Sequence, residues 1–388
     1  MKKKIAILGS TGSIGQSTFE VIKKKKNKFD VVLLTANNNY RKLIKQAKEI
    51  KAKNVLIKNK IFLNKVKKGL KNNSTKVFTG DISINEITNK KLDYTMSSIV
   101  GIAGLQPTID AIKNSKTVAI ANKESIICAW DILLKEVKKN KTKIIPVDSE
   151  HFSIMELTEG IEDNEVEEIL ITASGGPFLN LPIHKLKTVK PNDAIKHPNW
   201  KMGKKISTDS ANLMNKVFEV IEACKIFNFD SKKYRVVIHP QSYVHSVIRF
   251  KNGLIKMILY NTDMKIPISN TLFGKKNEFL NIKKISTKVF NKNSFFDVSK
   301  KRYPSIDLIK KILNSGSSTP TIVNASNEVL VDLFLRNKIG FLDIVKTINK
   351  IFKDKEFKKY AKRKVKSVKD IKLVDNWARL KTFAICVK

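Results

Sequence analysis

The feature that most constrains this sequence is a glycine-rich run, GSTGSIG at residues 9–15, which directly follows a short apolar stretch. Residues 4–8 predict a buried strand and residues 17–24 predict a helix, so the glycines lie in a strand-to-helix turn. Such a turn lets backbone N–H groups reach a phosphate at the helix N-terminus. The spacing is GxxGxxG rather than GxGxxG, and the absence of Gly-Lys-Ser/Thr excludes an NTPase P-loop. The run predicts a dinucleotide site, and a turn without a ligand is the alternative.

Short β-rich runs alternate with amphipathic helical stretches over the first 147 residues. This alternation predicts an α/β fold, in which residues 1–147 form a Rossmann-like doubly wound parallel sheet that binds the nucleotide. The further strands are predicted at residues 31–35, 54–57, 94–97, 117–119 and 143–147, with helices such as 40–51 between them.

The pattern changes after residue 147, because strands are now mixed with loops rich in Gly, Pro, Ser and Asn. Residues 148–273 predict an α+β catalytic domain with a flexible lid. Residues 274–303 are rich in Lys and Asn and predict a linker. Residues 304–388 predict a C-terminal helical domain. The strands of the α+β domain are predicted at residues 168–172, 235–239, 247–250 and 254–260, and the C-terminal helices at 305–313, 320–336 and 342–352.

The chain is strongly basic: 75 Lys and Arg against 35 Asp and Glu give a net charge of +40 over 388 residues. The lysines are spread out and no nucleic-acid recognition motif accompanies them, so we interpret them as a solvated surface that attracts phosphorylated substrates. Three distant cysteines, Cys128, Cys224 and Cys386, exclude a disulfide framework and fit a reducing cytoplasm. No apolar run approaches the roughly 18 residues of a membrane helix, so no membrane partner is expected.

The segment after the second strand lacks the carboxylate that usually binds the ribose of NAD. It contains Asn37, Asn38 and Asn39 instead. A carboxylate would repel a 2′-phosphate, so its absence favours NADP(H) as the cofactor. The basic residue that usually faces this phosphate is also missing, and Arg41 and Lys42 are the nearest candidates to replace it.

Two carboxylates, Asp148 and Glu150, follow the last predicted strand of the first domain in the motif PVDSEH. They are two residues apart, so in an extended segment both side chains point the same way. Convergent carboxylates bind a hard divalent cation through oxygen. The segment therefore predicts part of a metal site, and a solvated loop is an alternative of equal weight.

A further carboxylate, Glu219, ends the run that begins at Asp209-Ser210. On a helix, Asn215 and Glu219 are four residues apart, and Lys216 and Glu219 are three apart, so one face offers an amide, an ammonium and a carboxylate. Ser210, Asn215 and Lys216 suit phosphate oxygens, and Glu219 suits a site for Mg²⁺ or Mn²⁺. A surface Lys–Glu pair is the alternative.

A glycine-hinged loop, SGGPF at residues 174–178, precedes HPNWKMG at residues 197–203. The tryptophan, Trp200, lies in a polar loop, where an aromatic residue is less often part of a core. The arrangement predicts a lid that closes over a substrate and excludes water.

Seven motifs occur in order along the chain: ILGSTGSIG, ANKES, PVDSEH, SGGPF, HPNWxMG, DSAxxMNK with the later Glu219, and IHPQS. Together they resemble the 1-deoxy-D-xylulose 5-phosphate reductoisomerase family, and the resemblance covers essentially the whole chain, including NASNE at residues 324–328. The resemblance implies conversion of this phosphorylated sugar to 2-C-methyl-D-erythritol 4-phosphate, an early step of the non-mevalonate isoprenoid pathway. It also implies NADPH, a metal (Mg²⁺ or Mn²⁺, with Co²⁺ as a further candidate), and a homodimer formed through residues 148–273.

The resemblance also implies a role for each matching residue. The dinucleotide pyrophosphate is held by Thr11, Gly12, Ser13 and Ile14, with Asn122 and Gly203 nearby, and the ribose end by Asn37, Asn38 and Asn39. The metal ligands are Asp148, Glu150 and Glu219. Beside the metal, the substrate is contacted by Lys123, Ser149, Glu150 and Glu219. A second group binds it mostly around its phosphate: Ser174, His197, Ser210, Asn215 and Lys216. Trp200 contacts it from the lid. The reaction is a carbon–carbon rearrangement, with the metal as Lewis acid, followed by hydride transfer from NADPH.

Two positions depart from the family pattern. Asn38 stands where many members have Lys or Arg facing the 2′-phosphate, which leaves the strength of the NADPH preference open. Val217-Phe218 replaces the usual Gly-Leu without removing a ligand. Two other functions are alternatives: an NADP-dependent dehydrogenase of a phosphorylated aldehyde, which needs no three-carboxylate site, and a basic nucleic-acid-binding protein. His239 and His245 fit either a supporting role near the site or a satisfied buried histidine.

Overall fold

The computed structural model divides the chain into two compact units. The first consists of Met1–Ser125, Trp130–Phe152 and Asp263–Lys284, and the second of Ile126–Ala129, Ser153–Thr262 and Ile285–Lys388. The structure describes residues 1–88, 91–200, 202–274 and 285–386. Among these residues, no helix combines the length and the apolar character that a membrane span requires.

A seven-stranded sheet forms the centre of the first unit, and every strand pair in it is parallel. The strands are β1 (Lys3–Leu8), β2 (Phe29–Ala36), β3 (Asn54–Ile57), β4 (Lys76–Thr79), β5 (Leu92–Ser97), β6 (Ser115–Ile120) and β7 (Lys143–Pro146). The helices are α1 (Ser13–Lys24), α2 (Tyr40–Ile50), α3 (Leu63–Gly69), α4 (Ile84–Ile87), α5 (Leu105–Asn114), α6 (Lys123–Asn140) and α7 (Ser149–Leu157), the last of which continues into the second unit.

The sheet order is β4-β3-β2-β1-β5-β6-β7, so the strand order reverses between β1 and β5. This reversal is the point at which open α/β sheets bind ligands, and the glycine run follows β1 there. The prediction of a doubly wound parallel sheet is confirmed. The edge strand β4 was not predicted, because its four residues are only partly buried and form no continuous apolar run.

After α7, groups of strands and groups of helices follow one another, and the described chain ends in five helices. They are β8 (Val166–Ala173), α8 (Pro191–Ala194), α9 (Lys204–Ala211), α10 (Met214–Ile226), β9 (Tyr234–Ile238), β10 (Val244–Phe250), β11 (Ile255–Leu259), α11 (Lys265–Phe273), β12 (Phe296–Asp297), α12 (Asp307–Ser315), α13 (Thr319–Leu335), α14 (Asp343–Ile351), α15 (Phe357–Ala361) and α16 (Val368–Cys386).

Helix α11 completes the core of the first unit, although it follows β11 in the sequence. Ile268 and Leu272 are buried in the same cluster as Ile5 and Val55 of the sheet. The hydroxyl groups of Tyr94 and Thr271 lie 2.9 Å apart in this core, and burial raises the pKa of Tyr94. The first unit is therefore built from separate stretches of the chain.

The second unit has a five-stranded mixed sheet of order β11-β10-β8-β9-β12, in which only β8 and β9 are parallel. Val220 and Ala223 of α10 are buried in the same cluster as β-strand residues such as Ile171. Helices α13 to α16 enclose a separate cluster that includes Ile322 and Val374. Residues 285–303, part of the predicted linker, include β12, which pairs with β9; residues 275–284 of that linker lie outside the described residues.

Candidate active site

The glycine run forms a tight turn between β1 and α1. Gly9 has φ +78°, and a Cβ atom there would lie 2.9 Å from the Ser98 carbonyl oxygen. A Cβ atom on Gly15 would lie 2.2 Å from the Gly9 carbonyl oxygen, so this glycine permits the close approach of helix and strand. Gly12, the N-cap of α1, is exposed, and a Cβ atom there would make only an ordinary van der Waals contact, 3.4 Å from the Gly9 carbonyl oxygen. The exposed N-terminus of α1 therefore has room for a phosphate.

The residues beside Gly12 differ in exposure. Thr11 and Ile14 are half-buried, and Ile14 packs against the core of the first unit. Ser13 is exposed at the first position of α1. The turn itself is tied to β2, because the Gly9 amide donates to Thr35 Oγ1 at 2.8 Å. The predicted pyrophosphate residues thus surround the helix N-terminus.

Three exposed asparagines follow β2 at the same edge of the sheet. Asn39 Oδ1 accepts a hydrogen bond from the Lys42 amide at 3.1 Å and caps α2. Asn38 Oδ1 accepts from Asn59 Nδ2 at 2.9 Å. Asn37 contributes its carbonyl oxygen to the Asn59 amide at 3.2 Å. This rim thus offers side-chain amides at the sheet edge where the sequence predicts the ribose end of the cofactor.

Arg41 and Lys42, the two cations that follow the asparagines in the sequence, already have partners. Lys42 Nζ donates to Gln16 Oε1 at 2.6 Å. Arg41 Nε donates to the Tyr40 hydroxyl at 3.2 Å. Both side chains would have to exchange these neutral partners to bind a phosphate, which costs little for surface hydrogen bonds.

The segment ANKES begins α6 directly after β6. Asn122 caps the helix, since its Oδ1 accepts from the Ser125 amide at 2.8 Å, and its Nδ2 donates to the Gly101 carbonyl at 3.0 Å. Lys123 follows with a side chain that is 17% exposed, and its Nζ lies 3.1 Å from Asp148 Oδ2. The structure thus gives Asn122 a structural role that the sequence motif did not indicate.

The acidic segment after β7 is helical rather than extended. Helix α7 begins at Ser149, so the expectation that Asp148 and Glu150 lie in an extended segment is wrong. The two side chains nevertheless converge, because a carboxylate oxygen of each lies within 4.8 Å of the other. Ser149 Oγ donates to Glu150 Oε2 at 2.7 Å. This oxygen-only donor pair is the type of site that Mg²⁺ prefers.

In the second unit, Glu219 lies on α10 and is 1% exposed. Lys216 Nζ lies 2.7 Å from Glu219 Oε2, and Asn215 Nδ2 donates to Glu219 Oε1. The predicted helical spacing does bring the three side chains together, and their burial rules out the surface-pair alternative. A buried carboxylate that is held from both sides has a fixed orientation, which suits a ligand.

The lid segment is organised around His197. Its Nδ1 accepts from the backbone amides of Asn199 and Trp200, at 3.2 and 2.9 Å. Its Nε2 therefore carries the ring hydrogen and donates to Ser174 Oγ at 3.0 Å. The Trp200 ring lies 6.0 Å from the His245 ring, edge to face. The two motifs that the sequence combined into a lid are thus in direct contact; Lys201 lies outside the described residues.

Helix α9 carries one of the predicted site residues at each of its two ends. Gly203 is the exposed N-cap of this helix, and Ser210 lies in its last turn, 8% exposed. Gly176 packs against this last turn, since a Cβ atom there would lie 2.8 Å from the Ser210 carbonyl oxygen. The glycine-hinged loop and Ser210 are therefore held in contact by backbone packing.

The two ambiguous histidines are satisfied within the core. His239 Nε2 accepts from the amides of Tyr243 and Val244, both at 3.2 Å, and its Nδ1 donates to the Ser294 carbonyl at 3.0 Å. Burial lowers the pKa of His239. His245 stacks on Tyr260 with ring centroids 4.0 Å apart. These contacts match the buried-histidine interpretation.

Comparison with known proteins identifies the family to which the chain belongs. Sequence models described as 1-deoxy-D-xylulose 5-phosphate reductoisomerase and as two C-terminal domains of that enzyme match residues 5–130, 144–227 and 259–381. The reductoisomerase of Pelagibacter ubique (strain HTCC1062) is 46% identical over 387 residues, which cover 99% of this chain and 100% of the relative.

Solved structures agree with the sequence matches. The structure of 1-deoxy-D-xylulose 5-phosphate reductoisomerase from Zymomonas mobilis in complex with NADPH has a TM-score of 0.90 at 35% identity, covering 100% of this chain and 99% of that one. A crystal structure of DOX-P reductoisomerase in complex with NADPH, fosmidomycin and magnesium has a TM-score of 0.92 at 30% identity, covering 99% and 98% of the two chains.

Proposed function

The chain belongs to the 1-deoxy-D-xylulose 5-phosphate reductoisomerase family, and we propose which of its residues carry out the family's reaction. It is an NADP-dependent oxidoreductase that converts 1-deoxy-D-xylulose 5-phosphate to 2-C-methyl-D-erythritol 4-phosphate with NADPH and a divalent metal. We further propose that it serves the non-mevalonate isoprenoid pathway in the cytoplasm, which agrees with three cysteines that form no disulfide among the described residues.

One observation carries the residue assignment: the turns after β1, β6 and β7 lie at the same edge of one parallel sheet. The glycine turn follows β1, Lys123 follows β6 and Asp148 follows β7. Because the carboxyl ends of parallel strands share an edge, a dinucleotide at the glycine turn lies on the same side as these two reactive groups. A reductase needs this arrangement, in which the hydride donor faces the groups that activate the substrate.

The proposed cofactor-binding residues lie mainly in the turns after β1 and β2. Backbone N–H groups at the start of α1 bind the pyrophosphate, and the asparagines after β2 bind the 2′-phosphate end. The proposed set is Thr11, Gly12, Ser13, Ile14, Asn37, Asn38 and Asn39, with Asn122 and Gly203 nearby. NADPH supplies a hydride when it is bound. The protein orients the hydride-donating carbon of NADPH, because the contacts at α1 fix the pyrophosphate and the contacts after β2 fix the 2′-phosphate end.

The metal ligands that we propose are Asp148, Glu150 and Glu219. All three side chains offer carboxylate oxygens, which suits Mg²⁺ or Mn²⁺ and disfavours metals that prefer nitrogen and sulfur. The metal acts as a Lewis acid when it is bound. Ser149 and Asn215 orient two of the carboxylates through hydrogen bonds.

Substrate binding rests on donors that match phosphate oxygens. Ser174, His197 Nε2 and Ser210 offer neutral donors, and Lys216 adds a positive charge. Together with Asn215, these residues bind the phosphate of the substrate. Trp200 lies on the lid beside His197, where its closure would exclude water from the reacting carbons.

Lys123 is the group that we propose for charge and proton movements. Its ammonium lies 3.1 Å from Asp148 Oδ2, so it can donate to a substrate oxygen that is placed beside that carboxylate. As negative charge develops on the substrate oxygens during the rearrangement, a fixed ammonium stabilises it without reorganising. Holding a proton at Nζ also allows Lys123 to protonate an oxygen when the charge is quenched.

We also propose that the enzyme is a homodimer. The two edge strands of the mixed sheet expose large apolar side chains, among them Ile255 and Met257 of β11, which are 55% and 44% exposed, and Phe296 of β12, which is 56% exposed. Open sheet edges with such residues are usually covered by another element or chain. The division into residues 1–147, 148–273, 274–303 and 304–388 stays a prediction.

Replacing Glu219 tests the assignment. We expect Glu219→Gln to lower kcat at least a hundredfold with 1-deoxy-D-xylulose 5-phosphate and Mg²⁺, because one anionic ligand is lost, while NADPH binding stays unchanged. Turnover is followed by NADPH oxidation, and NADPH binding by fluorescence titration. The matched control is Glu168→Gln, which alters a surface pair with Arg235 and Arg249. Near-normal turnover of Glu219→Gln would contradict the metal assignment.

A further inference from the structure

The turn between α9 and α10 has an unfavourable backbone conformation. Leu213, which joins the two helices, has φ +60° and ψ +13°, although its side chain is 1% exposed and packs in the core. A leucine rarely adopts this left-handed conformation, so the surrounding structure must enforce it. Ser210 lies just before the turn, and Asn215 and Lys216 lie just after it. The direction of the turn therefore sets how these proposed phosphate ligands are arranged.

A buried acidic side chain fixes the α9 side of this turn. Asp209 is 1% exposed and precedes Ser210 in the last turn of α9. Its Oδ2 lies 3.0 Å from Lys205 Nζ, one helical turn away. Its Oδ1 accepts a hydrogen bond from Asn327 Nδ2 at 2.8 Å. A carboxylate in such a dry position needs both partners, because a buried charge with an unfilled oxygen is costly.

The partner amide comes from a distant part of the chain. Asn327 lies in the middle of α13, 118 residues after Asp209, and is fully buried. In the described part of the chain, its Oδ1 has no hydrogen-bond partner. Asn327 thus uses its Nδ2 group, and not its Oδ1 atom, to hold Asp209. Ser305 adds a second tie from the C-terminal residues, since its Oγ donates to the Asn212 carbonyl within the turn.

We propose that Asn327 is a positioning residue for substrate binding, an inference that rests on the proposed phosphate ligands. By holding the Asp209 carboxylate, Asn327 fixes the last turn of α9 and hence the direction of the Ser210 hydroxyl. Without this bond, Asp209 turns toward Lys205 or water, and the strained turn at Leu213 relaxes. The C-terminal helices thus contribute to substrate affinity without touching the substrate.

The helix that carries Asn327 also provides a matched control. Asn324 is one turn earlier on α13 and 1% exposed, and its Nδ2 donates to Glu328 Oε1 at 3.2 Å instead of to α9. Asn327→Ala and Asn324→Ala remove the same atoms from the same helix at equal burial. A general loosening of the helical region would affect both variants alike.

The test measures KM and kcat of the full-length enzyme for 1-deoxy-D-xylulose 5-phosphate. We expect Asn327→Ala to raise the substrate KM about tenfold while kcat falls less and the KM for NADPH is unchanged, because a small displacement weakens binding in ground and transition states alike. Asn324→Ala should keep the wild-type KM. An unchanged KM for Asn327→Ala, or an equal rise in Asn324→Ala, overturns the proposal.

A charge swap keeps the test decisive if the alanine variant does not fold. Asn327→Asp places two carboxylates against each other and should raise the substrate KM, whereas the double variant Asp209→Asn/Asn327→Asp restores a donor–acceptor pair and should recover it. Failure of the double variant to recover KM counts against the pairwise contact. Ser210→Ala separates the two hypotheses: if it leaves KM unchanged, the proposed phosphate site is wrong, and if only Asn327→Asp has no effect, the positioning role is wrong.

Discussion

Two glycines of the turn after β1 should respond differently to the same added methyl group: one variant should lose stability and the other should lose NADPH affinity. In Gly15→Ala the new Cβ atom would lie 2.2 Å from the Gly9 carbonyl oxygen and 2.6 Å from the Ser10 Cα atom. Both neighbours are backbone atoms, which cannot move aside as a flexible side chain can. We expect the free energy of unfolding to fall by about 1–3 kcal/mol, the usual range for an overpacked core.

Gly12→Ala should leave the folded protein nearly unchanged. Gly12 has φ −75° and ψ 175°, which alanine adopts readily, and its nearest neighbour would be 3.4 Å away. The restricted unfolded chain stabilises the variant by about 0.4–1 kcal/mol, and the loss of a glycine N-cap to alanine costs a similar amount, about 0.5–1 kcal/mol, so the two effects nearly cancel. The methyl group occupies the space through which a pyrophosphate approaches α1, so we expect the Kd for NADPH to rise at least about tenfold, or about 1.4 kcal/mol.

The assay pairs urea unfolding with fluorescence titration of NADPH for the wild type and both variants. The expected pattern is a destabilised Gly15→Ala and a stable Gly12→Ala that binds NADPH poorly. Wild-type NADPH affinity in a folded Gly12→Ala protein would refute the placement of the pyrophosphate at this turn. Wild-type stability of Gly15→Ala would refute the conclusion that α1 and β1 approach each other too closely at Gly15 to accept a side chain.

Two further changes test the cofactor rim and the buried histidine. Asn38→Arg should lower the KM for NADPH about tenfold and leave that for NADH unchanged, because a guanidinium can pair with the 2′-phosphate; equal effects on both cofactors would contradict this placement. Burial lowers the pKa of His239 in the folded protein, so below its ordinary pKa of 6.5 the unfolded chain binds the proton more readily than the folded one. The wild type therefore loses stability as the pH falls below about 6.5. His239→Gln should lose stability less steeply, by urea unfolding at pH 7.5 and 5.5, and parallel losses would disprove this contribution.

Local sequence patterns correctly predicted the structure where the geometry depends on a single helix or on the succession of strands and helices. The alternation of strands and helices predicted the parallel sheet, and the i, i+3 and i, i+4 spacing predicted the contacts of Lys216 and Asn215 with Glu219. The prediction for Asp148 and Glu150 was wrong in conformation, since α7 begins at Ser149. The motif ends a strand and opens a helix within three residues, so period-two spacing did not apply.

Contacts between distant residues could not be predicted from the sequence. The bond between Asn327 and Asp209 joins two helices that are 118 residues apart, and no periodicity links them. The contact of Tyr303 with the Gly175 carbonyl, at 2.8 Å, is similar, because it lies in a segment that was interpreted as a linker. NASNE contributed to the family resemblance, but only the structure indicates which atom of Asn327 has a partner.

The placement of α11 has a consequence for how the protein is made. The core around Ile5 and Val55 includes Ile268 and Leu272, and the Tyr94 hydroxyl has its partner on the same late helix. On the ribosome, the nucleotide-binding sheet can pair its strands early, but it cannot close its core until residue 273 has emerged. By then the strands of the second sheet up to β11 have also been synthesised. The first unit therefore completes its core only while the second is still being synthesised, and a nascent chain truncated before α11 would expose apolar surface to chaperones and proteases.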